Sequence, residues 1–306
     1  MLIAPAIAPV LEGNPAVSEI LTTRRFLSTA RELRRRRFPV TYNQHGGPTS
    51  ALLTLAVGSP VRVCWARLQF QSFYNVRVPD PAEIFGRQEI HTVEDRIAHF
   101  YFTGLPRGPI PRAQVFPQPD AIAAVRKLLA EQGISAGQPY VVLRPGAATL
   151  TKQWPLDRFL ELAHWLRDTY GLASVLDFGP DEAASAAAAR GHAGFGVVVL
   201  ASLGVRELIA LISGARLFVG NDTGPTHIAA AVGCPAVAIF SATDPTIWGP
   251  WQVAHRVVEA DARCDTCPPG RCYASERDRC ILSVGTSRVQ QACAALLESP
   301  PAAGRS

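Results

Sequence analysis

The sequence predicts an α/β fold with parallel sheets, divided into two domains. Three observations carry this. The second half alternates apolar, β-rich runs of five or six residues with segments of helical period, the pattern of βαβ units. The chain has 306 residues, of which 48% are hydrophobic and 18% charged, enough apolar material for two cores and too little charge for disorder. A Pro-rich stretch, "PRGPIPRAQVFPQPD" (106–120), reads as the linker between the halves. The expected boundaries are 1–118 for the first domain and 119–298 for the second, with a frayed tail at 299–306.

In the first half, "RFLSTARELRRRRF" (25–38) reads as a helix and "PVTYNQHG" (39–46) as a strand running into a loop. "PTSALLTLAVG" (48–58) follows as a helix, "PVRVCWA" (60–66) as a strand, and "HTVEDRIAHFYFTGL" (91–105) as a helix capped by Thr92. In the second half, "DAIAAVRKLLAEQG" (120–133) is amphipathic, with Lys127 on its surface. "YVVLRPG" (140–146) is a strand. "PLDRFLELAHWLRDTYG" (155–171) is a helix with Pro at its start and Gly at its end. Strands "ASVLDFG", "GVVVL", "RLFVGND" and "PAVAIF" then alternate with helices "DEAASAAAARG", "GVRELIALISGA" and "GPTHIAAAVG".

The formal net charge is +5, which favours anionic partners. The densest basic patch, "RELRRRRF" (31–38), reads first as a solvated helix end and only then as a surface for such a partner. No zinc-finger, RRM or basic-zipper pattern accompanies it, so nucleic acid is not an expected partner. No apolar run reaches the 18–20 residues or so of a membrane span, and the start shows no basic secretory n-region. The expected location is cytoplasmic. Of thirty basic residues only Lys127 and Lys152 are lysines, so Lys152, in a loop, marks a place for a compact point charge rather than a guanidinium fork.

In an open α/β sheet, ligands bind beyond the carboxyl ends of the strands. Three loops sit at such ends. "VGNDTGPTH" (219–227) opens a helix whose free N–H groups, with the Thr223 and Thr226 hydroxyls, suit a diphosphate. Asp222 there suits sugar hydroxyls, although Asp222 or Thr223 reads equally as a helix N-cap and His227 as a half-buried imidazole. "LRPGAATLTKQWP" (143–155) brings Gly146 for close backbone approach, the Thr149 and Thr151 hydroxyls, and Lys152. It is neither a Walker A loop nor G-x-G-x-x-G. "DFGPDE" (177–182) offers Asp181 or Glu182 to a ribose diol, or simply as a first-turn helix acid.

These stretches, with "TDPTIWGPW" (243–251) and the cysteine segment "CDTCPPGRCYASERDRC" (264–280), resemble glycosyltransferase family 9, the ADP-heptose:lipopolysaccharide heptosyltransferases. The resemblance implies a GT-B fold, two Rossmann-like domains whose parallel sheets face a cleft. It implies inverting, metal-independent transfer of a sugar, heptose above all, from a nucleotide-sugar donor to a lipopolysaccharide-type or other glycan acceptor at the inner face of the membrane. No cofactor is required for that chemistry. By position, Lys152 matches the lysine on the donor's phosphate and sugar, Glu182 or Asp181 the ribose acid, and Asp222 the acid on the transferred sugar. Thr223, Gly224 and His227 line the diphosphate. Lys152 and Asp222 are thus the catalytic candidates. The family's first βα unit, which bears an aspartate general base, has no counterpart here, because residues 1–12 resemble its second strand and helix. The expectation is an interrupted N-terminal sheet and either a start placed too late or an inactive, nucleotide-sugar-binding remnant. Asp80, Glu83, His91 and Glu94 are the acids and imidazole to inspect for a substitute base.

Seven cysteines occur. Cys264, Cys267, Cys272 and Cys280, spaced C-x2-C-x4-C-x7-C, suit a structural zinc or iron–sulfur site, or else free thiols or pairs formed on oxidation. Cys64, Cys234 and Cys293 read as small buried apolar residues.

Overall fold

The computed structural model describes residues 1–194, 196–261 and 280–299. Three of the four clustered cysteines (Cys264, Cys267 and Cys272) and the tail from residue 300 lie outside them. The chain divides into two compact units: Met1–Ala8 with Glu19–Pro111, and Pro9–Ser18 with Arg112–Ser306. The division falls inside the Pro-rich stretch, and residues 9–18 group with the second unit rather than the first.

The first unit contains strands β1 (Leu2–Ile3), β2 (Leu21–Thr22), β3 (Val40–Tyr42), β4 (Val61–Trp65) and β5 (Val76–Val78). Its helices are α1 (Phe26–Arg35), α2 (Pro48–Val57), α3 (Pro81–Phe85) and α4 (Thr92–Phe102). The strands form two parallel sheets, β1-β2 and β3-β4-β5, rather than one. The main core is Val63, Trp65, Val78, Ile84 and Ala98. His99 is fully buried, 4.0 Å from the Trp65 ring between centroids, and burial lowers its pKa to about 4. The N-cap of α4 is His91, not Thr92: its ring accepts from Val93 N, and Glu94 accepts from His91 N to complete a capping box. α3 and β5 fall where the sequence pattern is short and broken by polar residues, and no strand or helix was expected there.

The second unit contains α5 (Pro119–Glu131), β6 (Tyr140–Arg144), α6 (Leu156–Tyr170), β7 (Ala173–Phe178), α7 (Ala183–Arg190), β8 (Val197–Ala201), α8 (Val205–Ser213), β9 (Leu217–Asn221), α9 (Gly224–Val232), β10 (Ala236–Phe240), α10 (Pro245–Trp248), β11 (His255–Glu259) and α11 (Thr286–Leu297). Each βαβ run expected from the sequence is present. The six strands are all parallel, in the order β11-β10-β9-β6-β7-β8. Successive residues of β6 bury to opposite faces. Val141 and Leu143 pack with α6 residues Phe159, Leu162 and Leu166, while Tyr140 and Val142 pack with Val125 of α5 and Leu211 of α8. A strand covered on both faces must be apolar throughout, which is why these runs are continuous rather than alternating. Cys234 and Cys293 are buried among these apolar residues, and Cys64 in the first unit's core. Gly171 and Gly233 close α6 and α9 in the left-handed conformation, φ 64° and 79°.

Strand order changes direction at β6. The chain steps outward through β7 and β8, then crosses back to β9 on the other side of β6. Connections to opposite sides leave a crevice between β6 and β9 at the carboxyl ends, the place where open α/β sheets bind ligands.

Candidate functional site

The loops after β6 and β9 flank this crevice, and they carry the two catalytic candidates. Lys152 ends a 3-10 turn, Leu150–Lys152. Its Nζ donates to Asp222 Oδ2 at 2.5 Å, although the two residues are 70 apart in the chain. Asp222 is 7% exposed, and Thr243, from the loop after β10, donates to the same oxygen. Asp222 is therefore not an N-cap. Its carboxylate is turned across the crevice, held by one cation and one hydroxyl from two other strand ends.

Asn221 is the joint that makes this possible. It is fully buried at the end of β9. Its side chain accepts from Trp154 N at 3.1 Å and donates to Pro145 O at 2.7 Å, tying both ends of the Lys152 loop to β9. Its backbone oxygen accepts from the Thr226 hydroxyl at 2.6 Å and from Thr223 Oγ1 at 3.3 Å. The Thr226 hydroxyl, expected to face an anion, is buried and turned back on the strand instead. Asn221→Ala strands a buried N–H and a buried C=O, each costing about 1–3 kcal/mol. The expected result is a loss of about 2–6 kcal/mol of stability in urea unfolding; an unchanged midpoint would overturn this account of the joint.

Thr223 stands at the N-cap position of α9 without making a side-chain cap bond, Gly224 is exposed, and His227 is half-buried one turn on. An alanine-sized side chain at Gly224 would meet nothing within 4 Å, so there is room beside Gly224 at this helix end. Thr149 and Thr151 hydroxyls lie 3.0 Å apart, and Thr151 O accepts from Ser241 Oγ at 2.6 Å, which adds the β10 loop to the same framework.

Of the two acids after β7, the structure distinguishes one. Asp181 is exposed on the surface. Glu182 turns inward: its Oε2 accepts from Gly179 N at 2.6 Å, and its Oε1 lies so close to the β6 loop that a Cβ on Gly146 would sit 1.7 Å away. A side chain at Gly146 would therefore displace the Glu182 carboxylate from this position. Beneath Glu182 lie two residues not anticipated as part of the site, Arg144 at the end of β6 and Asp177 in β7. Arg144 Nη1 is 3.0 Å from Asp177 Oδ2 and 3.2 Å from Glu182 Oε2. Burial raises the pKa of Asp177 to about 6, against the opposing pull of Arg144 and with a further push from Glu182. The signal was present in the sequence, a charge near the end of each of two otherwise apolar strands.

In the first unit, three of the four groups inspected for a base are occupied. Asp80 caps α3 by accepting from Ala82 N, His91 and Glu94 form the capping box, and Glu94 also pairs with Arg87. Glu83 is a first-turn acid of α3. Among the described residues no group of three or more His, Cys, Asp or Glu is placed to hold a metal ion. Cys280 is a half-buried free thiol. No helix among the described residues is long and apolar enough to cross a membrane.

The chain has relatives among known proteins. A family model, glycosyltransferase family 9 (heptosyltransferase), matches residues 26–275. Lipopolysaccharide heptosyltransferase 3 of Escherichia coli is 39% identical over 132 residues, 42% of this chain and 38% of that protein. Lipopolysaccharide heptosyltransferase 2 of E. coli (strain K12) is 28% identical over 246 residues, 74% of this chain and 66% of that protein. The match to the first of these spans well under half of the relative's length. Among solved structures, ADP-heptose lps heptosyltransferase II of E. coli superposes with a TM-score of 0.78 at 24% identity, covering 97% of this chain and 88% of that one. The glycosyl transferase family 9 protein of Veillonella parvula DSM 2008 gives 0.82 at 18%, covering 97% and 87%. The α/β architecture is therefore that of the GT-B heptosyltransferases.

Proposed function

The chain belongs to glycosyltransferase family 9, and on that premise we propose that it transfers a sugar from a nucleotide donor, heptose from ADP-heptose, to a lipopolysaccharide-type or other glycan acceptor. The observation that supports this most is the Lys152–Asp222 pair at the β6/β9 crevice. A sugar nucleotide offers what these groups lack. Its diphosphate takes the Lys152 ammonium and the open N-terminus of α9, with Thr223, Gly224 and His227 around it, while sugar hydroxyls donate to the Asp222 carboxylate. Thr149 and Thr151 border the same loop, and Glu182 accepts from the ribose diol. Asp181, exposed on the surface, is the weaker candidate for that contact.

In this reading the acceptor oxygen displaces the nucleoside diphosphate in one inverting step. Negative charge develops on the leaving diphosphate, where Lys152 and the helix N–H groups are already oriented and need no reorganisation. They supply the stabilisation that a metal ion gives elsewhere, so the step is metal-independent. No described residue is assigned as the acceptor's base. The caps occupied by Asp80, His91 and Glu94 favour a second reading, a protein that binds the sugar nucleotide without turning it over.

Calorimetry with ADP in the presence of a chelator tests donor binding, and ADP release from ADP-heptose with an acceptor glycan tests transfer. Binding that survives chelation and weakens in Asp222→Ala and Lys152→Ala supports the donor site. Binding without ADP release selects the second reading. Unchanged binding in both variants would show that the donor sits elsewhere.

The protein is proposed to work on the cytoplasmic side of the inner membrane, in peripheral contact with it. The exposed run Arg34–Arg37 at the end of α1 is the surface for anionic lipid or acceptor. Glu at these four positions is expected to abolish cosedimentation with anionic vesicles that the wild type shows at low salt, where such contacts are least screened. Retained cosedimentation rejects that surface.

A further inference from the structure

Arg144, Asp177 and Glu182 form a chain of charges that runs from inside the sheet to the β7 loop. Asp177 is 2% exposed. Arg144 Nη1 donates to Asp177 O at 2.8 Å as well as to its carboxylate at 3.0 Å, and the same nitrogen reaches Glu182 Oε2. One nitrogen with two protons thus faces three oxygens, while buried Arg144 Nε and Asp177 Oδ1 have no hydrogen-bond partner among the described residues. A buried polar network left partly unsatisfied costs stability, and an apolar pair would fit these strands as well as their neighbours do. What the network does supply is a fixed Glu182. Both anchors, Gly179 N and Arg144 Nη1, fall on Oε2, leaving Oε1 over Gly146 as the oxygen with lone pairs to offer.

We propose that Asp177 and Arg144 are positioning residues for ribose recognition. Asp177 holds the guanidinium from below, so that Glu182 is anchored by one oxygen only and presents the other to the donor's 2′- and 3′-hydroxyls. When Asp177 no longer carries its charge, the guanidinium loses its lower carboxylate and settles on Glu182, occupying the oxygen that the ribose needs. The inference rests on Glu182 as the ribose contact, and the test separates the two.

The test compares ADP with 2′,3′-dideoxy-ADP by calorimetry for the wild type, Asp177→Asn, Arg144→Lys and Glu182→Gln. The diphosphate is common to both ligands, so their affinity ratio isolates the ribose. Hydrogen bonds to a charged group imply a wild-type ratio of about 10–100. Asp177→Asn, nearly isosteric, is expected to bring the ratio to within about threefold of one while dideoxy-ADP binds as before. Arg144→Lys, which keeps the charge but not the fork, is expected to do the same and serves if the first variant fails to fold. A wild-type ratio retained by both variants but lost in Glu182→Gln overturns the positioning role alone. A ratio retained in Glu182→Gln, or absent from the wild type, overturns the ribose contact and this inference with it.

Discussion

Lys152→Ala is expected to lower kcat by about 10²–10³-fold, the usual cost of removing one preorganised group that meets developing charge, while leaving the fold intact. Among the described residues the ammonium pairs with Asp222, and the side chain is partly exposed, so its loss opens no core cavity. Asp222 keeps the Thr243 hydroxyl and is open to water once the ammonium is gone. Asp222→Ala is expected to abolish turnover likewise, because the sugar loses its acceptor and Lys152 the partner that orients it. Lys152→Arg should not rescue, since a planar fork replaces a compact charge in a loop already held by Ser241 and by the hydrogen bond from its own Gln153 to Ala147 O. Steady-state rates of ADP release from ADP-heptose decide the matter. A Lys152→Ala enzyme within a factor of three of wild type, judged on the same scale, would remove the pair from the mechanism.

Asp177→Asn is expected to stabilise the protein above pH 6 and to do so less as the pH falls. Asp177 has its folded pKa raised to about 6 from 3.8. Between these values the folded chain holds a proton that the unfolded chain has released, so stability falls as pH rises through the window. Two pKa units correspond to about 3 kcal/mol, the most that this group costs at neutral pH relative to pH 4. Asparagine carries no such dependence. Urea midpoints of the two proteins should therefore diverge between pH 4 and 7, with the variant ahead at pH 7. A constant gap across that range, or a variant that falls further behind as pH rises, would mean that Arg144 compensates the buried charge fully. The expected combination, a more stable protein that distinguishes ribose poorly, is what a residue kept for a site rather than for folding should show.

The sequence by itself determined the second unit from α5 to β10, while α10, β11 and α11 beyond it carried no pattern that was read. The inner runs of β6 to β10 are mostly apolar because both faces of a parallel sheet are covered, and most of the helices between them are bounded by Pro or Gly, so strong local signals coincide with the fold. Three loops at strand ends, with Lys152, Asp222 and either Asp181 or Glu182 as candidates, were legible in the same way. Less was legible in the first unit, where strands of two or three residues and a five-residue helix carry too little pattern to read, and where a cap belongs to His91 rather than its neighbour. What only the tertiary structure decided is which polar groups face each other. Lys152 and Asp222 meet because β6 and β9 are neighbours at the point where strand order reverses. The choice of Glu182 over Asp181 depends on which carboxylate the β7 turn directs at Gly146. Asn221 and Thr226 look like ligand groups in a string of polar residues, yet both serve the backbone. Arg144 and Asp177 matter through a pairing between adjacent strands, 33 residues apart. Periodicity reports which face of an element is buried; it carries no information on which strand lies alongside, and charge pairing across a sheet depends on that alone.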